Sequence, residues 1–310
     1  MKRLIHFIAY SKAASYVAAL LCVVSWCVQV EEKTLTDLLW LMSSLVAGYL
    51  LVRVNREFSL GDTRSPLPAT LFFMGCSIVP DYFAQYTAGL HAVLFPMACY
   101  MLLSTYRERE AMGRYFLAFT FVGIQCLLAP PLLFTLPLLV LCGMFMGSLH
   151  VRTLLASLWG LLFPFWMMCG VLFLTGRVGV VPLYFEQLVS MTSVPFILQT
   201  GLRQWGMLLW VLLIALPGSI GILFNRTMKL QASAGFRLLI GVLAVSLVTM
   251  SLPTACSSVL FPCVLMTTAL IGSAMFTGNG SRAKDIFFII LLLIWLFFLG
   301  LPLWSNFWTR

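Results

Sequence analysis

The chain has 310 residues, 61% of them hydrophobic and 9% charged, with a mean hydropathy of +1.01 and a formal net charge of +9. Soluble domains carry about 25% charged residues, so this composition excludes a water-soluble globule. The excess of Lys and Arg does not read as a nucleic-acid surface, because the basic residues are scattered through short loops, where they act as topology signals.

The stretch Phe116–Trp166 sets the class, since its only formal charge is Arg152. It contains no water-facing stripe and is long enough for two membrane crossings and most of a third, at about 20 residues each. Pro130-Pro131 and the His150-Val151-Arg152 patch divide it. Strand-period alternation is absent, which argues against a membrane barrel. The expected fold is therefore an all-α, polytopic transmembrane bundle forming a single domain over residues 1–310.

In chain order, Lys2, Arg3 and Lys12 surround Leu4, Ile5 and Ile8, an amphipathic basic lead-in suited to the interface. The first span, Ala13 to Val30, lacks a small-x-small cleavage signature and is expected to be retained. Further spans are predicted over 36–52, 66–80 and 83–105, followed by three within the Phe116–Leu174 stretch. Pro182 then opens a segment in which Tyr184, Phe185, Leu188 and Val189 share one helical face, with Glu186, Gln187, Ser190 and Ser193 on the other. That pattern predicts an interfacial helix over 182–193 rather than a crossing. The last four spans cover 204–224, 236–252, 256–276 and 286–304, making eleven in all.

The charges orient this arrangement. With eleven spans, 15 of the 19 Lys and Arg fall on the N-terminal side, leaving Lys33, Arg177, Arg203 and Arg310 on the other. Positive residues collect in cytoplasmic loops, which predicts an N-terminus inside and a C-terminus outside. Nine cysteines lie inside apolar runs without a CxxC pair, so they read as small apolar side chains rather than a metal or disulfide framework. No cofactor or metal is implied.

The outer side carries the candidate chemistry. Glu31 and Glu32 can supply a general base at the membrane surface, or simply end a helix in water. Asp81, His91, Arg177, Glu186 and Arg203 are the candidate substrate-binding groups. Of these, only His91 lies well inside a span, where ionisable residues tend to be functional. Its plainer reading is an interfacial histidine hydrogen-bonded to a neighbour. Arg177 and Arg203 can hold a lipid phosphate through charge-assisted hydrogen bonds, or snorkel to headgroups.

The block from Arg114 to Trp166, with Leu149-His150-Val151-Arg152 and Gly160-Leu161-Leu162-Phe163-Pro164-Phe165-Trp166, resembles an uncharacterised family of bacterial polytopic inner-membrane proteins. The Arg64-Ser65-Pro66-Leu67-Pro68 entry to the third span looks similar to that family too. The resemblance implies a place in the bacterial inner membrane without an activity. More loosely, Glu31-Glu32 and the 182–193 segment are similar in outline to multi-span glycosyltransferases that take sugars from polyprenyl phosphate. That likeness implies work on lipid-linked sugars or envelope glycans at the outer leaflet. A short first outer loop departs from it. The alternatives are a non-catalytic scaffold or partner subunit of an envelope assembly, and a transporter. Membrane lipids are the expected partners, with no nucleic acid.

Reporter fusions test the orientation. Those after Arg109 and Lys229 should read cytoplasmic, and those after Lys33 and Glu186 external. A cytoplasmic reading at Glu186 overturns the assignment.

Overall fold

The computed structural model describes residues 8, 10–29, 35–61, 65–79, 86–108, 110–177, 179–189, 202–224, 228–251, 257–277 and 282–308. Among these residues the chain is all-helical, with no strand. The helices are α1 (Lys12–Gln29), α2 (Leu35–Phe58), α3 (Leu67–Ile78), α4 (Tyr86–Leu103), α5 (Met112–Leu128), a 3-10 turn (Pro130–Thr135), α6 (Leu136–Met146), α7 (Val151–Leu174), α8 (Val180–Val189), α9 (Leu202–Phe224), α10 (Leu230–Ser251), α11 (Ser257–Thr277) and α12 (Arg282–Trp308).

Six of these, α2, α7, α9, α10, α11 and α12, are long and apolar enough to cross a membrane. The eleven crossings expected from the sequence are therefore not all matched by length. A helix rises 1.5 Å per residue, so α3, with 12 residues, reaches only about 18 Å against a hydrocarbon layer of about 30 Å. The 11 residues of α6 are shorter still. The apolar runs are where they were expected, but prolines cut several of them below spanning length. The predicted interfacial segment is helical from Val180 to Val189, with Glu186 exposed, while residues 190–193 lie outside the described part.

The shortness of α3 has a packing counterpart: every one of its residues is buried. It lies against α1, α2 and α11. In α11 every residue from Leu260 to Ala274 is likewise buried, with α9, α10, α3 and α4 around it. A helix apolar on all sides belongs in a core, and these two form its centre. The polar ends of α3 are closed by the surroundings. At its C-terminus, Ser25 Oγ donates to Ser77 O (2.8 Å). Trp295 Nε1 donates to Met74 O (3.0 Å) and to Ser77 Oγ (2.8 Å). Before its N-terminus, the buried Asn55 amide oxygen accepts from Gly61 N (2.9 Å), and Leu60 N donates to Asn55 O (3.3 Å).

The α5–α7 pair forms one flank. The small residues Ser157, Gly160 and Pro164 of α7 are buried against α5, while Trp159, Trp166 and Leu174 of the same helix are exposed. A side chain at Gly160 would strike the backbone oxygen of Phe116, and one at Gly123 would come within 2.7 Å of Leu161 O. Close backbone approach through small residues is how helices associate where lipid surrounds them.

The charged residues sort by end. Arg107 N donates to Met146 O, Arg114 bonds Ser104 O and Glu108, and Tyr100 OH donates to Glu57 (2.7 Å). Gly61 lies against Thr277 and Ala274, and Gly235 against Leu103 and Leu60. These contacts bring together the C-termini of α2, α4, α6 and α11 with the N-termini of α5, α7, α10 and, by continuity, α12. Arg53, Arg56, Arg107, Arg114, Arg152, Lys229, Arg237 and Lys284 thus share one end of the bundle, called here the basic end.

Gly160→Ala should lower stability by about 1–3 kcal/mol through forced separation of α5 and α7. Gly170, in the same helix, meets nothing within 4 Å. Gly170→Ala should be neutral or stabilise by up to about 1 kcal/mol. Thermal melts of the two variants in detergent check the contrast.

Candidate functional site

The site follows from how α4 enters the bundle. Ala88, Gly89 and Ala92 are small and buried, and a Cβ at Gly89 would lie 3.2 Å from the Trp40 backbone of α2. This lets α4 press inward and carries His91 with it, five residues from the start of the helix and 0% exposed. Gln125, three residues before the end of α5, and Ser246, five before the end of α10, are also buried. The helix directions place all three in the half of the bundle away from the basic end.

Neither ring nitrogen of His91 has a hydrogen-bond partner among the described residues, nor do Gln125 Nε2 and Ser246 Oγ. Gln125 lies close enough to His91 to act on it as a side-chain hydrogen-bonding neighbour, although the bond falls short of ideal geometry. Gln125 and Ser246 line one cavity of about 20 Å³, together with Cys99 and Cys263, and Leu132 of the 3-10 turn and Leu139 of α6 close it. Phe95, one turn along α4 from His91, is also in its wall. The wall is mainly apolar, with Gln125 and Ser246 as its polar residues, and a space of this size has room for about one water-sized molecule.

A second buried polar group shows what a purely structural cluster looks like in this protein. At the basic end Tyr115 OH and Ser148 Oγ are 2.8 Å apart, and Ser148 Oγ donates to Thr105 Oγ1 (3.3 Å). Thr153 Oγ1 accepts from His150 N (2.8 Å), which ties the turn before α7 to its first residues. Thr105, Tyr115, Ser148 and Thr153 are all 0% exposed, and all are bonded. A buried group without a partner costs about 1–3 kcal/mol, so most native ones are satisfied. His91, Gln125 Nε2 and Ser246 Oγ depart from that rule, as does Thr268 Oγ1 of α11. A neutral imidazole offers one donor and one acceptor. The Gln125 amide lies beside the ring, and Ser246 shares a cavity wall with that amide, so these groups can donate to and accept from a small hydrogen-bonding species.

The structure distributes the sequence candidates unevenly. Glu31, Glu32 and Asp81 lie outside the described residues, as does the side chain of Arg203, which sits in the first turn of α9. Arg177 is exposed just beyond α7, and Glu186 is exposed on α8. Tyr184 OH of α8 donates to Cys126 O (2.7 Å), which docks that helix at the end opposite the basic one. No ion pair joins Arg177 to Glu186 among the described residues. Close packing of α4 buries His91 fully inside the protein, with Gln125 as its polar neighbour. Gln125 and Ser246 were not singled out from the sequence. Gln125 could have been, as the amide in the otherwise apolar run that closes α5, whereas one serine among many carries no signal. Among the described residues, no group of three His, Cys, Asp or Glu side chains could hold a metal ion.

Comparison with protein-family models, with curated proteins and with solved structures finds no match for this chain.

His91→Leu replaces two unpartnered nitrogens by an apolar group of comparable bulk. It should leave thermal stability unchanged or raise it by about 1–3 kcal/mol. A large loss in a melting experiment would show that the ring is held by bonds the site does not display.

Proposed function

We propose that this chain is a multi-pass membrane protein of the transporter kind, which passes a proton or a small hydrogen-bonding solute through the His91 layer. The observation that carries the reading is the buried His91 with Gln125 beside it, where Gln125 and Ser246 line a water-sized cavity and carry polar atoms without partners. Ionisable groups at membrane depth mark ion and solute pathways more often than they serve packing. The basic end would face the cytoplasm of a bacterial inner membrane, in keeping with the positive-inside rule. His91 would then lie in the outer half, within reach of the external face.

Work on lipid-linked sugars at the outer leaflet is the second reading. What favours it is the exposure of Arg177 and Glu186 at the end away from the basic one. The two readings part at His91: His91→Leu should abolish solute or proton passage and leave a surface sugar transfer intact.

Two native cysteines in the cavity wall, Cys99 and Cys263, provide the direct test. A variant keeping only these two thiols is reconstituted in vesicles and treated with a small, water-soluble methanethiosulfonate reagent. A path open to water predicts modification in the folded protein, with slower modification when Leu139→Trp fills the cavity. Thiols that react only after denaturation would overturn the proposal.

A further inference from the structure

We propose that the groove between α2 and α4 binds one acyl chain of an anionic phospholipid from the leaflet at the basic end, with the lipid phosphate on Arg53. The groove has a volume of about 190 Å³, and Leu50, Val54, Pro96, Met97 and Phe121 line it with apolar surface. Pro96 stands inside α4, where its ring takes the place of a longer side chain and leaves a notch in the helix surface. Met97 and Met101 border the notch, and methionine side chains adapt to flexible apolar partners.

The mouth of the groove supplies the charge. Arg53 and Tyr100 belong to its wall, and the Arg53 guanidinium lies over the Tyr100 ring, 5.7 Å from its centroid. Its carboxylate neighbour, Glu57, is 3.9 Å away, too far for a hydrogen bond. Glu57 instead accepts a 2.7 Å hydrogen bond from Tyr100 OH. The Arg53 side chain is 57% exposed, so its donors are turned outward rather than consumed by the protein. Arg114 acts electrostatically on the same tyrosine, and Arg56 follows one turn of chain later. Three arginines against Glu57 and Glu108 leave the mouth positive. An apolar slot beneath a cationic mouth matches the chemistry of an anionic phospholipid, whose phosphate accepts two parallel bonds from one guanidinium. Arg53 lies five residues before the end of α2, a depth from which a long side chain reaches the headgroup level.

Native mass spectrometry of the full chain in detergent tests the assignment, with phosphatidylglycerol and phosphatidylcholine added in turn. The expected result is preferential retention of phosphatidylglycerol, reduced about fivefold by Arg53→Gln, the scale of one arginine at a charged lipid surface. Filling the notch with Met97→Trp should remove the bound lipid while Arg53 is intact. Arg53 is exposed, so Arg53→Gln should fold normally, and a thermal melt confirms it. Equal retention of both lipids, or unchanged phosphatidylglycerol binding in folded Arg53→Gln, would overturn the proposal. Competition by inorganic phosphate alone would show an anion site without a chain site and would overturn it equally. Lipid retention is read independently of thiol labelling at Cys99 and Cys263, so it stands or falls apart from the transport reading.

Discussion

The structure depends on satisfying backbone polar groups where water is absent. In an apolar interior each open carbonyl or N–H costs several kcal/mol, and a short buried helix has four such groups at each end. In α3 the problem is acute, because the helix is too short to bring both ends to a membrane surface and is buried along its whole length. Ser25 of α1 and Trp295 of α12 close its C-terminal end, and Asn55 orders the turn that leads to its N-terminal end. These bonds join residues 52 and 221 positions apart. They tie the first and last described helices to the same central element, and the remaining helices arrange themselves around it.

Against that background, the two buried polar clusters have different meanings. Tyr115, Ser148, Thr105 and Thr153 satisfy one another and fix the turn into α7. His91, Gln125 Nε2 and Ser246 Oγ do not, nor does Thr268 Oγ1 of α11, although Ser25 and Trp295 find partners across long stretches of chain. Gln125 and Ser246 also line the neighbouring cavity.

The periphery obeys a different balance. The close approach of α5 and α7 rests on Gly123, Ser157 and Gly160, which exchange side-chain volume for backbone contact. The opposite face of α7 shows Trp159 and Trp166 outward, a surface suited to acyl chains rather than water. Charge collects where the helices end. Arg53, Arg114 and their neighbours make the basic end, and the pairing of Arg53 with Glu57 and of Arg114 with Glu108 prevents that end from being uniformly repulsive.

The amino-acid sequence by itself determined the class, the helical content and the position of most helices. Apolar runs, proline breaks and the clustering of Lys and Arg are local properties, and they survive into the structure at Pro130-Pro131 and at the loop around Arg107, whereas α8 begins at Val180 rather than at Pro182. The sequence also marked His91 as the candidate lying well inside an apolar run, and in the structure it is buried on α4. It did not reveal that α3 is a core helix rather than a crossing, because hydropathy measures the distaste of a segment for water and does not distinguish lipid from protein as its surroundings. Nor did it reveal the role of Asn55, whose amide oxygen orders the turn before α3. Only tertiary packing decided those points, by choosing which face of α4 turns inward and which helices meet there. The layer of His91, Gln125 and Ser246 joins residues from three helices spread over more than half of the chain. Residues of α4, α5 and α10 all contribute to the wall of one mainly apolar cavity, an arrangement that no single segment encodes.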